Sequence, residues 1–298
     1  MDKNGEETRP TFDGMGLPPF PHLLEDAKKR FEELRNLECR KDDIILATYP
    51  KSGTHWVWEI VCMILKKKAE YMKETKEFLF LEAIPDISVV DNLASPRPLN
   101  THVPYRWLPR QHIENGGKIV HVLRNPKDVA VSMYHHFNNG KMFEEPVDFK
   151  TFYEKIFMGP APHMGGWFSY EKEFENAEAT DTRGAIFTVH YESMKKNPID
   201  ETKRLAKFLN VDLTDEIIAE IVDKCSFKKL KEATEAMKDL PNFANRKDPG
   251  TVKRIMSRMY RKGEIGDWKN HFTVALNEHF DAFYKEEMKD SKLQVQFE

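Results

Sequence analysis

Three short apolar runs, each followed by residues that start a helix, set the rhythm of this 298-residue chain. Ile44 to Tyr49 is a mostly apolar run stopped by Pro50, and from Thr54 to Lys66 the apolar positions Trp56, Val57, Ile60, Val61 and Ile64 recur at helical spacing. The first unit therefore reads as strand, tight loop and helix. Ile119 to Leu123 repeats the theme. Asn125 follows as a cap, Pro126 sits at the first helical position and Asp128 in the first turn. A third run, Ile186 to Tyr191, leads to Asn197-Pro198 and a helix through Leu209, with another over about Asp215 to Lys224. Buried strands alternating with helices predict an α/β fold, a parallel sheet covered on both faces. Ligands of such sheets bind outside the carboxyl ends of the strands, which directs attention to Pro50–Trp56 and Arg124–Ser132.

Composition narrows the class. Lys and Arg number 46 against 49 Asp and Glu, a formal charge of −3, which argues against a generic polyanion binder. With 40% hydrophobic residues and no repeat, low-complexity tract or linker, the chain is expected to fold as a single domain over residues 1–298, with residues 1–13 flexible. Cys39, Cys62 and Cys225 lie far apart without a CxxC pair, so they read as thiols in a reducing compartment and not as a zinc site or disulfide framework. Met1 to Thr11 lacks the apolar core of a signal peptide. The longest apolar candidate, Trp56 to Leu65, contains Glu59 and is half the ~20 residues a membrane span needs. A soluble, cytoplasmic protein is expected. Met237 to Gly250 is rich in Asn, Asp and Pro, and Lys253 to Lys262 holds five basic residues in ten. That region reads as a mobile cover over an anion, before a helix from about Thr273 to Glu287.

The loop after the first strand carries the chemistry. In Thr48-Tyr49-Pro50-Lys51-Ser52-Gly53-Thr54-His55-Trp56 the backbone N–H groups and the helix N-terminus converge on one anion. It differs from the GxxxxGK[ST] loop of nucleotide triphosphatases, because Lys51 precedes Gly53 and no upstream glycine is present. The later strands end in Arg124 and, after Tyr191, Glu192, not in an Asp that would hold Mg²⁺ beside a triphosphate. An anionic donor used without a metal fits better than a nucleotide kinase.

These residues resemble the cytosolic sulfotransferases, which move a sulfuryl group from 3′-phosphoadenosine-5′-phosphosulfate to hydroxyl or amine acceptors. The resemblance runs from about Gly14 to Glu287. It is strongest at Thr48–Trp56, at the run from Arg124-Asn125-Pro126-Lys127-Asp128 to Ser132, and at Arg261–Thr273 (RKGEIGDWKNHFT). It implies that Lys51 contacts the oxygen between sulfur and the 5′-phosphate, and that Ser52, Gly53, Thr54 and His55 hold that phosphate. Trp56 is implied to stack on adenine, the lesser alternative being ordinary helix core. Many members have Thr or Asn where His55 stands. The 3′-phosphate clamp is implied at Arg124, Ser132, Arg261, Lys262 and Gly263, and the adenine surround at Tyr191, Cys225, Ser226 and Phe227.

The resemblance also singles out His102, in Pro98-Leu99-Asn100-Thr101-His102-Val103-Pro104, as the base that takes the acceptor's proton. An imidazole with a pKa near 6.5 suits that task at cytosolic pH. Asn100 stands where many members have lysine. Asn100, Thr101, His102, Phe80, His136 and Phe143 are the expected acceptor-side residues, with His135 and His136 as weaker candidate bases. Trp167 and Phe168 either flank the acceptor pocket or belong to the core. The substitutions at Asn100 and His55 leave open a protein that holds the nucleotide or a hydrophobic ligand without turnover. Lys269, Thr273, Val274 and Glu278 match the family's dimer signature and imply a weak homodimer, the alternative being that Thr273 only caps a helix and Val274 lies in its core.

Overall fold

The computed structural model describes residues 10–72, 80–139, 145–237 and 260–298. A four-stranded sheet runs β4 (Pro98–Thr101), β3 (Ile44–Thr48), β5 (Lys118–Leu123), β6 (Ile186–His190), and every pairing is parallel. The register sets Thr48 beside Val122 and Leu123 beside His190, so the carboxyl ends of the strands open at one edge. The chain leaves β3 first toward β4 and then returns to place β5 on the opposite side. The crevice between the β3 and β5 ends is therefore the switch point where ligands of such sheets lie.

Both faces of the sheet are covered, as the apolar runs predict. Ile45, Ala47, Ile119 and Leu123 enter one core, whereas Ile44, Leu46, Val120 and Val122 enter the other, which is the period-two alternation of a strand buried on both sides. α2 (Thr54–Lys66), α8 (Pro198–Phe208) and α9 (Asp215–Lys224) contribute to the second core. α1 (Pro21–Arg35), α4 (Pro126–Asn139), α6 (Trp167–Thr180) and α11 (Val274–Glu287) contribute to the first. Shorter helices α3 (Arg110–Glu114), α5 (Phe149–Phe152) and α7 (Tyr191–Lys196), with α10 (Phe227–Met237), complete the described α-helices. No helix among the described residues is long and apolar enough to cross a membrane.

Several expectations are corrected. The third run ends one residue early, because Tyr191 is the first residue of α7. Order begins before residue 14: Thr11–Phe12 (β1) pairs with Met15–Gly16 (β2), and Phe12 packs 5.1 Å from Phe31 and 5.2 Å from Trp107. The Asp13 carboxylate accepts from Arg106 and Trp107, which fixes the turn. Trp167 and Phe168 are core: Trp167 donates to the Arg124 carbonyl, and Phe168 packs on Phe280 and Tyr284. Met237 closes α10, and the rest of the expected cover, up to residue 259, lies outside the described residues, as do Phe143 and residues 1–9.

Candidate active site

The loop after β3 folds because two positions accept backbone that most residues avoid. Lys51 has φ +72° and Gly53 φ +103°. At Gly53 a side chain is excluded outright, since a Cβ would come within 2.7 Å of the Tyr191 ring. The turn aims the first N–H groups of α2 outward, where they lack partners within the helix. Ser52 is fully buried beneath it, and among the described residues its hydroxyl has no hydrogen-bond partner. A buried hydroxyl at the foot of an N–H cradle fits an oxyanion ligand.

Arg124 reaches the same crevice from the end of β5. Its guanidinium donates to the Lys51 carbonyl at 2.9 Å and lies 4.2 Å over the Tyr191 ring, while its buried Nε has no partner among the described residues. Asn125 caps α4 through the Lys127 N–H, as read from the sequence, and presents Ser132 to the cavity. Asp128, buried on the same helix, accepts from the Gly266 and Trp268 N–H groups at 2.7 and 2.9 Å. Those bonds bring Arg261, Lys262 and Gly263 to the crevice. At Gly263, with φ +67°, a Cβ would meet Phe227 at 2.3 Å. Arg261 and Lys262 both pair with Asp267 at 2.5 Å. Burial would raise the Asp267 pKa, but the hydrogen bonds from Lys262, Asn270 and Arg261 prevail and hold it well below the usual carboxylate range.

One cavity of about 880 Å³ joins these groups to a second set. Gly53, Thr54, His55 and Trp56 line it with Tyr191, Cys225, Ser226 and Phe227, and the half-buried Trp56 ring meets Tyr191 edge-on at 5.4 Å while also packing against the second core. Cys225 is buried, with its thiol pushed up by desolvation, and acts here as an apolar wall. His55 packs edge-on against Tyr260 at 5.3 Å.

His102 follows β4 and turns its ring to the loop. Its Nδ1 donates to the Thr48 carbonyl at 2.7 Å, which leaves Nε2 as the basic nitrogen. Thr48 is the last residue of β3, and its hydroxyl bonds Thr54 in the first turn of α2 at 2.6 Å. The segment after Phe80 runs beside β4, and the buried Glu82 carboxylate accepts from the His102 N–H at 2.6 Å and the Thr101 hydroxyl at 2.7 Å. Phe80 closes edge-on to the His102 ring at 4.4 Å.

His102, Phe80 and His136 thus meet in the cavity, with Lys51 Nζ 3.3 Å from His136 Nδ1. Asn100 and Thr101 do not reach its wall. Both are fully buried in β4, where strand alternation and the Glu82 contact make them the support under His102. His135 lines the cavity but is a poor base: burial first, then Arg261 and His271, push its pKa down to about 4. Sequence reasoning missed Glu82, because its role depends on a pairing between segments twenty residues apart. It named the stretch containing Asp267 without assigning that residue a part.

With this geometry in view, the chain can be set beside known proteins. The fold and crevice define an α/β protein with a site suited to an anion. Residues 41–292 match the sulfotransferase domain model. Sulfotransferase 1B1 of Canis lupus familiaris is 37% identical over 280 residues, covering 90% of each chain, and sulfotransferase 1E1 of Bos taurus is 34% identical, covering 93% of this chain and 92% of the relative. The structure of mouse sulfotransferase SULT7A1 complexed with PAP superposes with a TM-score of 0.73 at 26% identity, covering 94% and 95% of the two chains. This chain belongs to the sulfotransferase family and is an enzyme of sulfuryl transfer.

Proposed function

We propose that the chain moves a sulfuryl group from 3′-phosphoadenosine-5′-phosphosulfate to the hydroxyl or amine of a small, flat, largely apolar acceptor, with His102 as base. The nucleotide supplies the sulfuryl group and, in its 5′-phosphate, the leaving group. The observation that carries this reading is the His102 Nδ1 bond to Thr48, because it fixes a basic nitrogen onto the strand end that also begins the anion loop. His102 Nε2 takes the acceptor's proton, and the Lys51 ammonium offsets charge on the leaving phosphate, an effect worth about 10²- to 10³-fold in rate for one well-aimed donor. The cradle of Ser52, Gly53, Thr54 and His55 holds the 5′-phosphate, and Arg124, Ser132, Arg261, Lys262 and Gly263 hold the 3′-phosphate. Adenine lies among Trp56, Tyr191, Cys225, Ser226 and Phe227. The orphan Ser52 hydroxyl and Arg124 Nε support that fit.

The acceptor side is walled by Phe80, Met133, Phe137 and Met164, which favours a phenol or apolar alcohol. Three free thiols support a reducing, cytoplasmic setting. Val274, 77% exposed beside the Thr273 cap, supports a weak homodimer through Lys269, Thr273, Val274 and Glu278. Sulfated product from labelled donor and a panel of phenols, alcohols and amines tests the reaction. Nucleotide binding without product would support the binding-protein reading instead.

A further inference from the structure

Residues 293–298 alternate apolar Leu293, Val295 and Phe297 with polar Gln294, Gln296 and Glu298, and the three apolar side chains pack against the first core. None of the six lines the cavity. The Phe297 carbonyl nevertheless accepts from two side chains, Asn125 Nδ2 at 3.2 Å and Trp268 Nε1 at 3.0 Å. Asn125 follows Arg124, and Trp268 follows Asp267, which pairs with Arg261 and Lys262. One oxygen therefore joins the two stretches that carry the cations of the crevice. The Phe297 ring seats that oxygen: the Lys127 ammonium lies 5.1 Å from its centre and 4.4 Å from that of Trp268, and Tyr284 meets it edge-on at 5.5 Å. Gln296 ties the same segment to α7 by donating to Ser193 Oγ at 2.8 Å.

We propose that Phe297 is a positioning residue for the 3′-phosphate clamp, its carbonyl keeping Arg124 and Arg261 turned to one anion. The inference rests on the reading that places the 3′-phosphate of the nucleotide at these two arginines. Asp128 joins α4 to the main chain of Gly266 and Trp268, and Phe297 fixes the side chains at the same junction. Asn125 is fully buried and its Oδ1 is engaged by the Lys127 N–H, so withdrawal of the carbonyl leaves Nδ2 without its acceptor. The two stretches then lose their fixed relation. A ligand that bridges both arginines has to order them as it binds, which lowers its affinity, whereas a nucleotide without the 3′-phosphate asks nothing of the clamp.

The test is calorimetry of 3′,5′-diphosphoadenosine and of 5′-AMP on the full chain. Phe297→Ala removes the ring that seats the carbonyl and should weaken the diphosphate by about tenfold, with 5′-AMP changed by about twofold or less. The KM for the sulfate donor should rise by more than kcat falls. Phe297→Tyr keeps the ring and should restore the affinity. Trp268→Phe keeps an aromatic ring beside Lys127 and loses the indole N–H, so it should show part of the same selective loss even where Phe297→Ala folds poorly. An equal loss for both nucleotides in Phe297→Ala, or an unaltered preference for the diphosphate in Trp268→Phe, overturns the inference and leaves the clamp standing. A wild type that binds the two nucleotides equally overturns the clamp, and the inference with it.

Discussion

The two halves of the cavity are built by different means. The half proposed to hold the nucleotide relies on backbone: N–H groups at the start of α2, two residues with positive φ, the Lys51 carbonyl that accepts from Arg124, and the Gly266 N–H that donates to Asp128, with Arg261 paired to Asp267 beside them. The half proposed to hold the acceptor is made of side chains that come from elements far apart in sequence, namely Phe80, His102, His136 and Met164. A backbone cradle demands particular residues in an unbroken stretch. A side-chain wall demands only that the fold bring surfaces together, and many residue sets can do that.

The comparison breaks most sharply at His102. Its substitution by Ala should lower acceptor-dependent sulfation by roughly 10²- to 10⁴-fold, the usual contribution of a general base, while nucleotide affinity stays nearly unchanged. Steady-state kinetics alongside calorimetry of 3′,5′-diphosphoadenosine checks it. If more than about a tenth of the rate survives, a value above the range for a lost base, another group takes the proton. If nucleotide affinity falls with the rate, the two halves are not separable.

On the other side of the divide lies Arg124. The wild type should bind 3′,5′-diphosphoadenosine at least about tenfold more tightly than 5′-AMP, and Arg124→Ala should shrink that ratio toward one. Equal affinities in the wild type would remove the 3′-phosphate from the crevice at Arg124, Ser132 and Arg261.

Asp267 provides a smaller, pH-dependent effect. Its carboxyl is held below the ordinary range in the folded chain, so its stabilising effect is complete where both folded and unfolded forms are ionised and fades as pH falls through the unfolded value, near 3.9, toward the folded one. Asp267→Asn should therefore melt lower than wild type at pH 7, and the gap should narrow below about pH 4. A gap that stays constant from neutral to acid pH would mean that the cation contacts of Arg261 and Lys262 do not hold this segment.

The same division explains what could be read from the chain alone. The run from Thr48 to Trp56 announced strand, loop and helix because the cradle leaves little choice of residues. Pro98–Thr101 was not legible as a strand, since it carries Pro and Asn in four residues and its outer edge is met by the segment at Phe80, a pairing no local pattern encodes. α1 and α6 went unread for lack of a flanking strand with a recognisable turn. The Lys51–His136 contact joins positions 85 residues apart, and no local pattern encodes it. Glu82 is likewise an ordinary acid in sequence, given its place by the Thr101 and His102 donors that the fold brings to it.

Smallest of the expected effects is the one at the surface of α11, which belongs to neither half. Thr273 caps the helix through the Leu276 N–H at 3.3 Å, and Leu276 and Phe280 turn inward. Val274 is left 77% exposed, with exposed Glu278 one turn further on. Capping and dimer contact are thus compatible, because the cap uses the threonine hydroxyl and leaves the valine outside. Lys269 pairs with Glu298 of its own chain at 2.7 Å, and a two-fold contact that turns Lys269 toward Glu278 of the other protomer would exchange one surface ion pair for another. Such an exchange changes stability little, by about 1 kcal/mol or less, so Val274 packed at the axis has to supply most of the association. Val274→Glu sets two carboxylates against each other there and should yield a monomer by light scattering at micromolar protein. Nucleotide affinity should hold, since Arg261–Gly263 are anchored through Asp128 and Asp267 and not through α11. An unchanged dimer mass in the variant, or a monomeric wild type, would reduce Thr273 and Val274 to the start of a helix.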